Sequence, residues 1–264
     1  MTGLGSGLAA VILKSLINFI SRELVWLNTL NADIPWLLIL PGIGMLVSLV
    51  LVKYVIKDDI SHGVTKVLYA ISKKESRISS HNTFTSILTS SLTIGFGGSV
   101  GAEAPIVYTG AAIGSNIGRK MGLSYRNMTI LLGCGAAGAV AGIFKAPMAG
   151  ILFTLEILLF NISAKSILPL LTSSVTAAAM SYLFQGNDVS FSSTTDDFLM
   201  GNVPYYILLG LFCGFVSLYF IRMTMFLEDR IHSVRNSFLR WLLCSASLGL
   251  LLHFFPPLHG EGYG

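Results

Sequence analysis

The carboxylate of Glu103 is the residue whose type and setting point most directly to chemistry in this chain. It follows the glycine-rich run Gly95–Gly101 (GFGGSVG) and precedes Pro105, after which a long, almost uncharged segment begins. This order predicts an acid at the start of a buried helix. The first turn of a helix has N–H groups without an intrahelical partner and carries partial positive charge, so anions collect there. An acid fixed at such a point within a membrane is a functional candidate, as a competitor of a bound anion or as its gate.

The composition predicts the kind of protein that surrounds this acid. The 264 residues are 53% hydrophobic and only 11% charged, with a mean hydropathy of +0.73, whereas soluble domains are about 25% charged. The apolar windows Ile34–Tyr54 and Tyr205–Met225 approach the ~20 residues that span a bilayer. We therefore expect an all-α, polytopic membrane protein. The small net charge of +4 has no accompanying aromatic and basic cluster, so a nucleic-acid partner is not expected.

Glycine spacing predicts how the helices pack. The segments Ala104–Gly118 and Met128–Phe144 are rich in glycine and alanine and short for clean spans, and Gly110, Gly114 and Gly118 recur every four residues. Such a stripe allows another backbone to approach closely. Short, interrupted apolar segments are typical of broken helices at an ion site. The expected architecture is a bundle of tilted and broken helices.

Charge in the loops predicts the orientation. Lys53 and Lys57 close the span Ile34–Ile56, and Lys66, Lys73, Lys74 and Arg77 follow it. This density of positive charge beside a span places the loop in the cytoplasm. The loop Gln185–Gly201 carries aspartates and no Lys or Arg, as expected on the outer side. We therefore expect a multi-pass integral membrane protein, located in the bacterial inner membrane.

Two sequence pieces identify a family. GSVGAEAP, at 98–105, and GAAGAVAGIFKAPMAGILFTLE, at 135–156, resemble, in their residues and their spacing, the CLC chloride channels and chloride/proton exchangers. The resemblance implies a fold of two inverted halves, of which residues 1–264 hold roughly the first as a partial transmembrane domain. It also implies that further anion-binding motifs lie in a second half, so we expect residues 1–264 alone not to conduct. A homodimer is implied as well, and Met148–Phe160 and Ser166–Phe184 are the predicted contact.

The same resemblance assigns roles around the acid. Glu103 becomes the gating glutamate, whose side chain occupies an anion position and moves away when protonated or displaced. Gly101, Ala102, Ala104 and Pro105 become part of the anion-binding backbone. The usual family pattern has a basic residue before the acid and a glycine after it, whereas Ala102 and Ala104 stand there in this chain.

A second predicted anion-binding segment is Ser61–Val64, which contributes His62, Gly63 and Val64. The family commonly has a serine where this chain has His62. A histidine can donate a hydrogen bond and, when protonated, adds charge. The alternative is a histidine at the cytoplasmic face without a ligand.

Two residues are predicted along the inner pathway. Glu156 matches the first of two successive acids in many exchangers of the family, and Ile157 stands in place of the second. The usual internal proton acceptor is therefore absent, which favours channel-like or weakly proton-coupled transport. Lys145 is predicted to raise the local anion concentration. The alternatives are a structural Glu156 and a Lys145 that extends toward the membrane interface.

These features favour transport of an anion, most directly chloride, along a pathway gated by Glu103. The alternatives are a proton-coupled chloride or fluoride antiporter, and a non-conducting structural membrane fragment. An enzyme is not expected: Gly133–Gly138 matches the dinucleotide fingerprint G-x-G-x-x-G, but this motif needs a soluble βαβ unit. No catalytic, metal or cofactor site is predicted, because the histidines are scattered and the cysteines form no CxxC pair.

Overall fold

The computed structural model of the chain is built mainly of α-helices. It describes residues 1–30, 36–56, 63–158, 164–186, 199–234, 236–255, 258 and 260. In chain order the helices are α1 (Thr2–Leu30), α2 (Trp36–Val50), α3 (Gly63–Lys73), α4 (Thr85–Gly95), α5 (Glu103–Lys120), α6 (Tyr125–Phe144), α7 (Pro147–Ile157), α8 (Ala164–Gln185), α9 (Val203–His232) and α10 (Ser237–Phe254). A π-helical segment, Leu51–Ile56, continues α2. The described residues contain no strand, which confirms the predicted all-α class.

The chain divides into two compact units. One comprises residues 1–191 and 245–264, and the other comprises residues 192–244. The first unit contains α1 to α8, and the second contains α9. The expectation of one partial domain over residues 1–264 stays a prediction.

Helix lengths agree with a multi-pass membrane protein built partly from short helices. Five helices among the described residues are long and apolar enough to cross a bilayer, namely Thr2–Leu24, Tyr125–Phe144, Ser166–Gln185, Met200–His232 and Ser237–Phe254. The expectation that the Met128–Phe144 segment is short for a span is wrong, because α6 begins earlier, at Tyr125, and has 20 residues. In contrast, α3 and α7 have 11 residues each, which is too short to span a bilayer.

The glycine stripe places α5 directly against α6. A Cβ atom built on Gly110 would lie 2.8 Å from the carbonyl carbon of Gly135, and one built on Gly114 would lie 2.8 Å from the carbonyl carbon of Leu131. Contacts this short between backbones leave no room for a side chain. The predicted close packing at the glycine stripe is thus confirmed.

Small and branched apolar side chains fill the rest of this contact. A buried cluster joins Val67 and Ala70 of α3, Val107 of α5, and Leu132 and Ala136 of α6. Because lipid tails are as apolar as these side chains, close van der Waals packing rather than burial from water holds such helices together. Helix α5 is therefore fixed on one side by α6 and on another by α3.

Candidate functional site

The start of α5 lies where the sequence predicts it, at Glu103. The N-cap residue is Ala102, whose carbonyl accepts a hydrogen bond from the Ile106 N–H at 3.2 Å and whose side chain caps nothing. The N–H groups of Glu103 and Ala104 have no acceptor inside the helix. Pro105 has no N–H, which costs little in the first turn. The helix start thus presents backbone donors and the positive end of its dipole.

The carboxylate of Glu103 folds back onto the glycine that precedes the helix. A Cβ atom built on Gly101 would overlap Glu103 Oε2 and would lie 3.0 Å from Cδ and 3.3 Å from Oε1. Gly101 and Glu103 are both half-buried. The absence of a side chain at position 101 is therefore what allows the carboxylate to occupy this place beside its own helix start.

The start of α3 meets the start of α5. A Cβ atom built on Gly63 would lie 2.5 Å from the carbonyl oxygen of Ala104 and 3.3 Å from Cβ of Tyr108. The predicted anion-binding segments at 63–64 and 101–105 are thereby brought together, although they are distant in sequence. The unpaired donors and the positive end of α5 therefore lie beside the segment that contains Gly63.

The other predicted residues of the first segment differ in what can be said of them. His62 lies outside the described residues. Val64 is partly buried and packs against the apolar cluster that includes Val67 and Val107. Its side chain therefore contributes to packing, and any contact of residue 64 with an anion would be made by its backbone.

Hydrogen bonds fasten the turn after α3 to the far end of α5. The Ile78 N–H donates to Ser115 Oγ at 2.9 Å, and Ser115 Oγ donates to the Ser76 carbonyl at 2.7 Å. Ser80 Oγ donates to Asn116 Oδ1 at 2.8 Å. Helix α3 is thus tied to α5 at its end as well as at its start, so the two helices position the site together.

The fold brings the side chain of Lys145 to the carboxyl end of α8. It is the C-cap of α6, in a left-handed conformation with φ 54°, and it is buried. Its Nζ donates to the carbonyls of Gln185 at 3.4 Å and Gly186 at 2.9 Å, and lies 5.4 Å from the centre of the Tyr182 ring. A cation at the carbonyl end of a helix stabilises that end. The structure thus gives Lys145 a packing partner, whereas a role in the inner pathway stays a prediction.

Glu156 and Ile157 point to different surroundings on α7. Glu156 is exposed, whereas Ile157 is half-buried and packs against the cluster that contains Val107 and Tyr108 of α5. The position that follows Glu156 is therefore occupied by an apolar side chain that packs against this cluster. The role of Glu156 in the inner pathway stays a prediction.

The residues that resemble a dinucleotide fingerprint have a different use. Gly133–Gly138 lies within α6, where Gly135 faces Gly110 and Gly138 approaches Ser6 and Ser173. These glycines pack helices, and the described residues that precede them form no strand. Within the part of the chain that the structure describes, no group of His, Cys, Asp or Glu side chains is placed to hold a metal ion.

Sequence reasoning missed Tyr108 and the grouping of cations near it. Tyr108 is buried beside Gly63, and it lines a cavity together with Lys66, Lys74 and Arg77. The sequence signal for the three cations was present, but it was interpreted only as an orientation signal. Their proximity to Tyr108 depends on the fold of the α3–α4 turn.

Fold and site together define the class: a multi-pass helical membrane protein in which α3 meets the first turn of α5 beside a carboxylate, a geometry suited to small anions. A family model described as "Voltage gated chloride channel" matches residues 43–264. The chain therefore belongs to the voltage-gated chloride channel, or CLC, family, which confirms the resemblance seen in its sequence.

Individual relatives agree with this family. The chain is 29% identical over 245 residues to a putative chloride channel protein, ClcB-like, of Ralstonia nicotianae, covering 87% of this chain and 56% of that protein. It is 31% identical over 185 residues to an H(+)/Cl(-) exchange transporter, ClcA, of Cronobacter sakazakii, covering 65% of this chain and 39% of that protein. The chain thus spans about half the length, or less, of these curated relatives.

Solved structures support the fold. A slow cyanobacterial Cl-/H+ antiporter matches with a TM-score of 0.87 and 23% identity, over 99% of this chain and 64% of that one. A CLC-type fluoride/proton antiporter matches with a TM-score of 0.75 and 25% identity, over 98% of this chain and 67% of that one. The arrangement of helices described above is therefore the CLC arrangement.

Proposed function

We propose that the protein transports a small anion, chloride in the first place, across a membrane along a pathway that Glu103 closes. The observation that carries the proposal is the contact of Gly63 in α3 with Ala104 in the first turn of α5, beside the Glu103 carboxylate that folds against Gly101. Both the carboxylate and a free anion suit the unpaired N–H groups of a helix start. They therefore compete for one place, and the anion passes when the carboxylate leaves.

This competition predicts how a gate variant behaves. An acid at a partly buried helix start gains about 1–2 kcal/mol from the helix dipole, which corresponds to a factor of about 5 to 30 in a two-state equilibrium. Glu103→Gln removes the charge and with it this preference for the closed position. We expect anion flux to rise by about that factor. The dependence of flux on external pH should disappear, because the gating position 103 no longer carries a carboxylate.

Flux is measured with the full-length protein in liposomes, as loss of trapped chloride. Gly101→Ala is the matched variant, because the added Cβ takes the space of the folded carboxylate without removing its charge. It should raise flux as Glu103→Gln does and should keep a dependence on external pH. Unchanged flux and unchanged pH dependence in Glu103→Gln would refute the gate.

Proton coupling is a separate prediction. Ile157, which packs against the cluster that contains Val107 and Tyr108, cannot carry a proton, so we expect a chloride gradient to drive little or no proton uptake. Proton movement is recorded in the same liposomes with a pH electrode. Stoichiometric proton uptake that survives Glu156→Gln and His62→Ala would contradict the expectation and favour the alternative, a proton-coupled antiporter. Two matched structures are a Cl-/H+ antiporter and a fluoride/proton antiporter, so the same assay is repeated with fluoride.

We further propose that the full-length protein is a homodimer, that it resides in a bacterial inner membrane, and that it acts as a transport protein rather than as an enzyme. Apolar side chains such as Leu152 of α7 and Leu168 and Leu183 of α8 are exposed in this chain, which supports the predicted contact through 148–160 and 166–184. Disulfide cross-linking of a Leu152→Cys variant in native membranes tests it. The absence of a dimer band on a non-reducing gel would count against the contact.

A further inference from the structure

A cavity separate from the meeting point of the helix starts lies beside the α3–α4 turn. Its volume is about 260 Å³, and its lining includes Lys66, Tyr69, Lys74, Arg77, Asn82 and Tyr108. Three of these side chains are cations, and none of the described lining residues is an acid. The nearest acid in the turn, Glu75, pairs with Arg77 at 3.4 Å, but both side chains are largely exposed, so this pair holds Arg77 only weakly.

Two of the lining residues that can donate hydrogen bonds, Asn82 and Lys74, have defined contacts in the structure. Asn82 is buried, and its Oδ1 accepts from Thr85 Oγ1 at 3.2 Å, so the amide has its NH₂ group to offer a ligand. The Lys74 Nζ lies 5.6 Å from the centre of the Tyr69 ring, a cation–π contact that positions the ammonium. An arginine fork, two ammonium groups and an amide NH₂ together complement an anion that has several acceptor oxygens.

We propose that this cavity binds a compact phosphate group, either a phosphomonoester or a diphosphate. Arginine recognises phosphate through two parallel hydrogen bonds, and lysines add point charges. Chloride needs neither this number of donors nor this space. The cavity is smaller than the ~300–1,000 Å³ of sites for larger organic ligands, which favours a phosphate group or a phosphorylated headgroup over a whole nucleotide.

A ligand bound in the cavity would affect the position of Gly63 in α3 through Tyr108. This side chain lines the cavity and also lies beside Gly63 at the helix start. Hydrogen bonds of Ser115 join the α3–α4 turn to the end of α5. A ligand in the cavity would therefore contact residues that are attached to both α3 and α5. Where the proposed transport function holds, a phosphate ligand changes flux to the extent that its affinity differs between open and closed forms. Binding itself does not depend on that function.

The test measures binding to the full-length protein in detergent by isothermal titration with inorganic pyrophosphate, against sodium chloride at equal ionic strength. Lys74→Gln and Arg77→Gln should each weaken pyrophosphate binding roughly tenfold, since each removes a charge-assisted hydrogen bond. Lys73→Gln is the matched control, because Lys73 is an exposed neighbour of Lys74 that is not among the lining residues. It should leave the affinity within about twofold, since exposed charges are screened at moderate salt.

A second arm separates two sources of the phosphate. Protein is bound to vesicles of phosphatidylcholine with and without phosphatidylinositol 4-phosphate, again for all three variants. Binding of pyrophosphate that depends on Lys74 and Arg77 supports a soluble ligand. Binding only to the phosphoinositide vesicles, with the same dependence, supports a lipid headgroup. The proposal is overturned if neither probe binds better than its control, or if Lys73→Gln weakens binding as much as Lys74→Gln.

Discussion

The contact between Gly135 of α6 and Gly110 of α5 allows a quantitative prediction. A Cβ atom at position 135 would overlap the carbonyl oxygen of Gly110 and would lie 2.7 Å from its carbonyl carbon and 3.2 Å from the Gly114 nitrogen. All three atoms belong to the backbone, so no side chain can rotate away. Gly135→Ala therefore forces α5 and α6 apart.

Two opposing contributions decide the size of the effect. Alanine is better than glycine in a helix interior by about 1 kcal/mol. Overpacking in a tight contact costs about 1–3 kcal/mol, and the upper part of this range applies because rigid backbones collide. The net destabilisation is about 1–2 kcal/mol. At about 2–4 °C per kcal/mol for a chain of this size, we expect the Tm to fall by several degrees.

The assay is thermal unfolding of the full-length protein in detergent, followed by intrinsic fluorescence. Gly210→Ala in α9 is the matched control, because, apart from its chain neighbours and the backbone of its own helix turns, no heavy atom of the described residues lies within 4 Å of a Cβ at that position. Only the helix propensity acts there, so the Tm should stay or rise. Equal stabilisation by both substitutions would refute the argument that contact at Gly135, rather than helix propensity, decides the outcome.

Two further substitutions test the fastening of the helices that surround the site. Lys145→Met removes the hydrogen bonds to two carbonyls at the end of α8 while keeping the volume, so thermal unfolding should show a loss of about 1–3 kcal/mol, whereas Lys120→Met at an exposed position should change little. Ser115→Ala leaves the Ile78 N–H without its acceptor and should cost about 1–3 kcal/mol. Hydrogen exchange at that amide should accelerate, whereas Ser72→Ala on the exposed side of α3 should have no such effect; unchanged exchange in Ser115→Ala would contradict the assigned bond.

The sequence by itself determined the class of the protein and the start of α5 at Glu103. Composition excludes a soluble domain because too few polar residues exist to cover one in water. Glycines before Glu103 and Pro105 after it place a helix start at the acid, since these preferences act within a few residues. The family was identified from two short sequence motifs, at 98–105 and 135–156. The structure places the start of α5 at the expected residue, Glu103.

Only the tertiary structure decided what each helix contacts. Gly63 meets Ala104, and Lys145 meets the end of α8, because helices distant in sequence approach in space. The sequence did not determine that Glu156 is exposed and Ile157 half-buried, since α7 is apolar nearly all round and its periodicity identifies no buried face. The cavity beside Tyr108 likewise depends on the path of the α3–α4 turn. Local preferences fix where a helix begins, whereas packing between backbones fixes which side chains reach the same place.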